Sequence, residues 1–274
     1  MIKAINPFTT LTVQPNDSLH RTISRAVYRL CELTGDDEWI VRKIKPLAEL
    51  NLKRPLQPRE VENLVKMHRE RQENPCQISN RPRPVKNPAF TKTIASKANL
   101  EALRRHSGLI PKTGNEALAR LYAPTDWLFI GSQMWDVRAR EVAEWTELDL
   151  SRCSMIMPNP FEPEPPARKK EFVRERLFMI YESDEPWMTH DMQAGVIMHL
   201  RKLMPLRMVV SSGNSSLHAW FDVSTSSPST IEEFEDTCLL LSGDPATTGL
   251  NHLVRLPWGT HQKTNNRQQV IYFR

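Results

Sequence analysis

Apolar residues in the N-terminal part of the chain recur at helical spacing. Leu19, Ile23, Ala26, Val27 and Leu30 fall on one face of a helix that Asp17 or Ser18 can cap and Gly35 can end. Asp36-Asp37 opens a second helix carrying Trp39, Ile40, Ile44 and Leu47, and a third starts near Pro58 in LKRPLQPREVENLVKMHRE. This period predicts a small all-α domain over residues 1–72. From 73 to 93 it is lost, and four prolines with little apolar recurrence predict a semi-extended linker. From 94 onward the pattern alternates. Strand-length runs are expected at 127–130, 154–157, 176–182, 207–211, 216–223, 253–256 and 269–273, and helical patterns at 137–148, 192–204 and 230–241. That order predicts an α+β core over 94–274 with a mixed β-sheet and flanking helices.

Composition changes this picture little. Of 274 residues, 39% are hydrophobic and 25% charged, as in ordinary globular domains. No run approaches the ~18 apolar residues of a membrane span, and MIKAINPFTTLTVQ lacks a signal-peptide core, so a cytoplasmic location is expected. Cys31, Cys76, Cys153 and Cys238 form no CxxC pair, so neither a structural zinc nor a disulfide is expected and buried free thiols are. Neither an internal repeat nor a Walker A sequence occurs. Net charge is +5. Its distribution is more telling: Arg81, Arg83, Lys86, Lys92, Lys97, Arg104 and Arg105 face one acid, Glu101. Such a segment suits nucleic-acid phosphates, and equally a solvated linker.

Candidate chemistry begins in RLFMIYESDEPW. Leu177 to Tyr181 are apolar throughout, as in a central strand covered on both faces, and Glu182 and Asp184 follow at its C-terminal end. Two residues apart on a strand, both carboxylates face one spot, and a bound Mg²⁺ or Mn²⁺ would relieve their repulsion. A solvated strand end would explain the pair as well. MVVSSGNSSLHAWFDV then reads as a hairpin turning at Gly213-Asn214, with Ser216, His218, Trp220 and Asp222 on one face. Ser216 and His218 suit triphosphate oxygens, and the turn is expected to expose backbone N–H groups to an anion. The bland alternative is a hairpin with a satisfied core histidine. Asp244 follows a helix in SGDPATTGLNHLVRLPWGTHQ, where it can reach a neighbouring strand end or simply form a turn. Asp222 and Asp236 are weaker competitors for a third acid. Arg255, Lys263 and Arg267 are candidates to neutralise triphosphate or template phosphates.

An acid pair ending a strand, Ser-x-His on the returning strand and a later lone Asp resemble the archaeo-eukaryotic primase superfamily. YESDE, SGNSSLHAWF, GDPA and VRLPWGTHQ look like the primase-polymerases of phages, prophages and mobile elements, with 34 residues from Asp184 to His218 and 26 from His218 to Asp244. The resemblance covers roughly residues 120 to 274. It implies a catalytic core of that type with an RNA-recognition-motif-like module. The implied activity is two-metal joining of NTPs or dNTPs on single-stranded DNA, with primers started de novo. Glu182, Asp184 and Asp244 would bind Mg²⁺ or Mn²⁺, Ser216 and His218 the incoming nucleotide's phosphates, and Arg255 would assist. Asn214-Ser215 stands where a basic pair is common in the family, and no cysteine-histidine zinc module is present. LAELNLKRPLQPREVENLV is similar to the small helical domain that accompanies such primases, usually after the core and here before it. Its implied role is holding the template or first nucleotides.

Two rivals stay open. A metal-dependent nuclease would use Glu182 and Asp184, but VVSSGNSSLH lacks the lysine such enzymes add on the next strand. A non-catalytic replication initiator would keep the fold without the reaction. The chain ends at Arg274 directly after an expected strand, QVIYFR, which fits a piece of a longer protein, one carrying a replicative helicase for example, and equally a natural end.

Overall fold

In the computed structural model, residues 26–27, 30–31, 34–51, 60–73 and 83–274 are described. Contacts divide the chain into two units, 1–81 with 224–230 and 82–223 with 231–274. In the N-terminal unit, Asp36 Oδ1 accepts from Trp39 N at 2.9 Å and so caps helix α1, Asp37–Asn51. Helix α2 is Glu60–Glu73. Val27, Leu30 and Cys31 pack with Ile40 and Ile44 of α1 and Val61, Leu64 and Val65 of α2, so one apolar stripe from each segment makes this core. Arg69 ties α2 to the turn before α1: its Nε meets Asp37 Oδ1 at 2.7 Å and its guanidinium donates to the carbonyls of Cys31 and Thr34. Of the expected first helix, residues 26–27 and 30–31 are helical, while Asp17, Ser18, Leu19 and Ile23 lie outside the described residues, as do Pro58 and Arg81.

The expected 73–93 linker is shorter than its prolines imply. Residues 74–82 lie outside the described residues, 83–87 have no regular structure, and helix α3 spans Pro88–Ala95. Pro88 opens the helix, where its missing N–H costs nothing, and the Asn87 side chain accepts from Phe90 N. Helices α4, Leu100–Arg105, and α5, Gly114–Leu121, follow.

Two four-stranded sheets carry the larger unit. The first has the order β2-β1-β3-β7, from Val137–Glu141, Trp127–Gly131, Met155–Ile156 and Val254–Arg255. The second has the order β4-β6-β5-β8, from Phe178–Tyr181, Leu217–Asp222, Leu206–Ser211 and Val270–Phe273. All the pairings of these strands are antiparallel, so the fold is α+β with antiparallel sheets in place of the expected mixed one. Residues 137–148, expected as one helix, split into β2 and helix α6, Val142–Thr146. Pairing with β1 wins over helical propensity there, because β1 needs a partner along its edge.

The second sheet is buried on both faces. Met179, Tyr181, Ala219, Phe221 and Val209 meet helices α3, α4, α7 (His190–Leu200) and α8 (Pro228–Leu240). Phe178, Ile180, Trp220, Met208 and Val210 meet Leu128, Ile130, Ile156 and Val254 of the first sheet. Phe178 and Trp220 touch edge to face, with ring centroids 5.4 Å apart. The run FMIY was expected to be a central strand. It is covered on both faces, yet it lies at the sheet's edge. Cys31 and Cys238 are buried, Cys153 is half-buried, and Cys76 lies outside the described residues. No helix among the described residues is long and apolar enough to cross a membrane.

Candidate functional site

The end of β4 and the start of β6 position the first acid. Tyr181 pairs with Ala219, so the next residues in register, Glu182 and His218, come side by side. His218 Nε2 lies 3.1 Å from Glu182 Oε1, and Ser216 Oγ donates to the same oxygen at 2.9 Å. All three are buried. Burial alone would push the Glu182 carboxyl up. The charge and hydrogen bond of His218, the Ser216 hydroxyl and the charge of Arg255 outweigh it and hold the group down at about 2. Glu182 is therefore an ionised carboxylate inside the protein. On the other side of the ring, the buried Nδ1 of His218 has no hydrogen-bond partner among the described residues.

Asp184 is exposed on the loop after β4. Partial burial, then the charges of Glu182 and Asp244, raise its pKa against the opposing pull of His218 and Arg255. Asp244 reaches the same place from the end of α8. Ser242 adopts φ 66°, and Asp244 N donates to the Glu182 carbonyl at 2.8 Å. The Asp244 carboxylate also accepts from Ala246 N at 2.9 Å, opening a short 3₁₀ turn, Pro245–Thr248. Between the acids, buried Ser183 donates to the Ser242 carbonyl at 2.7 Å and locks the two loops together. Asp222 sits at the far end of β6, 4.0 Å from Arg207, and Asp236 lies within α8.

The cations divide. Arg255 on β7 is half-buried, and its pKa is lowered by that burial against the pull of Glu182 and Asp184. Its Nη1 lies 3.4 Å from Ser154 Oγ. Lys263 and Arg267 are exposed on the 260–267 loop; Lys263 acts on His261, and Arg267 acts on Asp149. Lys86 is committed to Glu185, one residue beyond Asp184, at 2.8 Å. Lys92 lies over the Trp187 ring. Arg83 is exposed before α3, and Arg104 and Arg105 are exposed in the last turn of α4, with Arg105 4.0 Å from Glu101.

The hairpin turn differs from expectation. Gly213 has φ 79°, a left-handed conformation that glycine takes without strain. Its carbonyl, however, is what meets neighbours: Thr264 Oγ1 and Asn266 Nδ2 donate to it at 3.0 and 2.9 Å. Asn214 N and Ser216 N both donate to Ser212 Oγ at 3.2 Å. Those two N–H groups are occupied, and the Gly213 carbonyl clasps the 260–267 loop.

Three contributors were missed in the sequence. His252 is near enough for Glu182 and Asp244 to pull against the burial that lowers its pKa. His261 is buried and feels Arg255, Lys263 and His218. Gln193 of α7 is buried and braces the hairpin: its Nε2 donates to Ser215 O at 2.8 Å and its Oε1 accepts from Leu217 N at 2.7 Å. Only Gln193 left a readable signal, a polar residue inside the apolar helix MQAGVI.

Among the described residues, no group of three or more His, Cys, Asp or Glu side chains forms a ready-made metal cage. The donor chemistry nevertheless fits a hard divalent cation. The site offers carboxylate oxygens, and Asp184 is pushed up in part by its two acidic neighbours, a repulsion a cation relieves. Mg²⁺ is commonly held by one or two carboxylates, with water and substrate phosphates completing its shell. A separate cleft of about 610 Å³ between α1 and α2, lined by Asp37, Glu38, Arg42, Glu62, Lys66 and Arg69 among others, contains none of these acids. No family model, no characterised protein and no solved structure matches the chain.

Proposed function

We propose that this chain is a DNA-templated primase-polymerase of the archaeo-eukaryotic type, joining NTPs or dNTPs on single-stranded DNA. The observation that carries the reading is the meeting of Glu182 and Asp184, after β4, with Asp244, after α8, beside His218, Ser216 and Arg255. A purely structural cluster would be neutralised by its own ion pairs. Here Asp184 is exposed, and the charges of Glu182 and Asp244 act on it against those of His218 and Arg255, an arrangement suited to a cation that carries an anionic substrate.

In the reaction, a 3′-oxygen forms a bond to the α-phosphorus of a nucleoside triphosphate while the bond to pyrophosphate breaks. A divalent cation at the three carboxylates would ease deprotonation of the attacking hydroxyl and stabilise the leaving oxygen. His218 and Ser216 both engage Glu182 Oε1, so their first task is to fix that carboxylate's orientation. This differs from the direct phosphate contact that the resemblance implies. Arg255, half-buried and facing the acids, is suited to the triphosphate. Lys263 and His261 are further cationic or donor groups on the adjoining loop.

The test is nucleotide incorporation on a single-stranded DNA template with Mg²⁺ or Mn²⁺, with and without a primer. Product that depends on metal and template supports the reading. Degradation of the template in place of synthesis would replace it with a nuclease, and binding without chemistry would replace it with a non-catalytic module.

A further inference from the structure

The hairpin turn between β1 and β2 holds two large apolar side chains in water. Met134 is 56% and Trp135 81% exposed. A tryptophan buries roughly 150–250 Å² when packed, so leaving one outside forfeits a large stabilisation. The turn is not loose. Asp136 N donates to Gln133 O at 3.0 Å, and Ser132 Oγ donates to Asp136 Oδ2 at 2.9 Å. Gly131 is required there, because a Cβ would lie 1.9 Å from the Asp136 carbonyl oxygen. Trp135 is therefore presented on a braced support, with little ordering left to lose on binding.

Register places this turn at the same end of the first sheet as Arg255. Val137 pairs with Gly131, Gly131 with Met155, and Met155 with Arg255. Three inter-strand steps make that row about 14 Å long. Exposed cations lie in the segments next to this row. Arg138 follows the turn, and Arg152 is joined to the 260–267 loop through Gln262 Nε2, which donates to Arg152 O at 3.3 Å. Arg267 on that loop acts, like Arg152, on Asp149. Asp136 lies 3.8 Å from Arg138, and Asp149 is acted on by both Arg152 and Arg267, so three arginines meet two acids. An aromatic face beside arginines matches bases and phosphates of an unpaired strand, and double-stranded nucleic acid offers no free base face to it.

We propose that the Met134-Trp135 turn, with Arg138, Arg152 and Arg267, is a single-stranded nucleic-acid binding surface on which Trp135 stacks a base. The assignment deepens the template-directed reading and rests on it for the identity of the strand. The experiment measures binding of the full chain to a labelled oligo-dT by fluorescence anisotropy over a series of salt concentrations, alongside an abasic strand of equal length. Trp135→Ala weakens binding to oligo-dT about five-fold or more, Trp135→Phe retains most of it, and the loss vanishes on the abasic strand. Arg152→Gln with Arg267→Gln weakens both strands and lowers the salt slope by about 1.4. Binding of Trp135→Ala within about two-fold of wild type, an equal loss on the abasic strand, or no binding by wild type overturns the proposal. Nucleotide incorporation by the same preparations separates the two ideas. Incorporation with Trp135 irrelevant to binding sinks this surface alone, and Trp135-dependent binding without incorporation sinks the polymerase reading alone.

Discussion

At the scale of single residues, the site is a buried charge kept ionised by its neighbours. Glu182 and His218 form a pair with side chains 12% and 3% exposed, and Ser216 supplies a second hydrogen bond to the same oxygen. Removing one member of a buried pair leaves the other uncompensated. His218→Ala is therefore expected to destabilise the protein by about 3 kcal/mol. Glu182→Ala together with His218→Ala should cost less than the sum of the two single changes. Urea unfolding of the four proteins in EDTA measures this, and additive losses would contradict the pairing. Sequence reasoning reached Glu182, Ser216 and His218 because strand period and register bring them together. It did not foresee that Ser216 and His218 both meet Glu182 Oε1, since which acceptor a hydroxyl or imidazole chooses depends on the neighbouring strand. His252 was invisible for a simpler reason: it reaches the acids from a loop, where no period applies.

Elements are held by local caps and by a few buried polar side chains between them. Thr113 caps α5 by accepting from Glu116 N at 3.1 Å, while Glu116 accepts from Lys112 N at 2.7 Å and pairs with Arg120 one turn on. The Lys112 N–H, then the Arg120 charge and hydrogen bond, hold the Glu116 carboxyl below its ordinary value despite some desolvation. A folded-state pKa below the unfolded one stabilises above the unfolded value and loses that stabilisation as pH falls through the folded value. The stability advantage of wild type over Glu116→Gln should thus be present at neutral pH and shrink as pH drops below about 4.3. Thermal unfolding across that range tests it, and a difference independent of pH would contradict it. Asn159 does comparable work between elements. Its Oδ1 accepts from Leu177 N and Phe178 N at 2.9 and 2.8 Å, and its Nδ2 donates to Leu250 O at 3.0 Å. Asn159→Ala strands these buried backbone groups and should cost about 3 kcal/mol, read by urea unfolding. A loss under about 1 kcal/mol would mean that the groups find other partners. In the sequence, Pro158-Asn159-Pro160 marks only a loop, because the groups Asn159 serves lie elsewhere in the chain.

For the whole molecule, the alternation of strand-length and helical runs disclosed an α+β core, and the apolar run FMIY disclosed burial on both faces. Neither disclosed strand order. An antiparallel edge strand covered by helices and a second sheet carries the same residues as a central one, so the expected mixed sheet was not distinguishable by pattern. Val137–Glu141 shows the same limit, since its partner β1, and not its own period, makes it a strand. The three acids were legible as separate points, while their meeting depends on the loop after α8 crossing to the end of β4. The central claim is that this meeting point transfers nucleotides. Its most direct test compares wild type with Asp184→Ala in incorporating nucleotides on a primed single-stranded DNA template with Mn²⁺ or Mg²⁺. Asp184 is exposed, so the substitution should leave the fold intact. Metal-dependent product is expected from wild type, and its loss, by about a hundred-fold or more, in Asp184→Ala. No product from wild type with any nucleotide and metal, or equal product from both proteins, would contradict it.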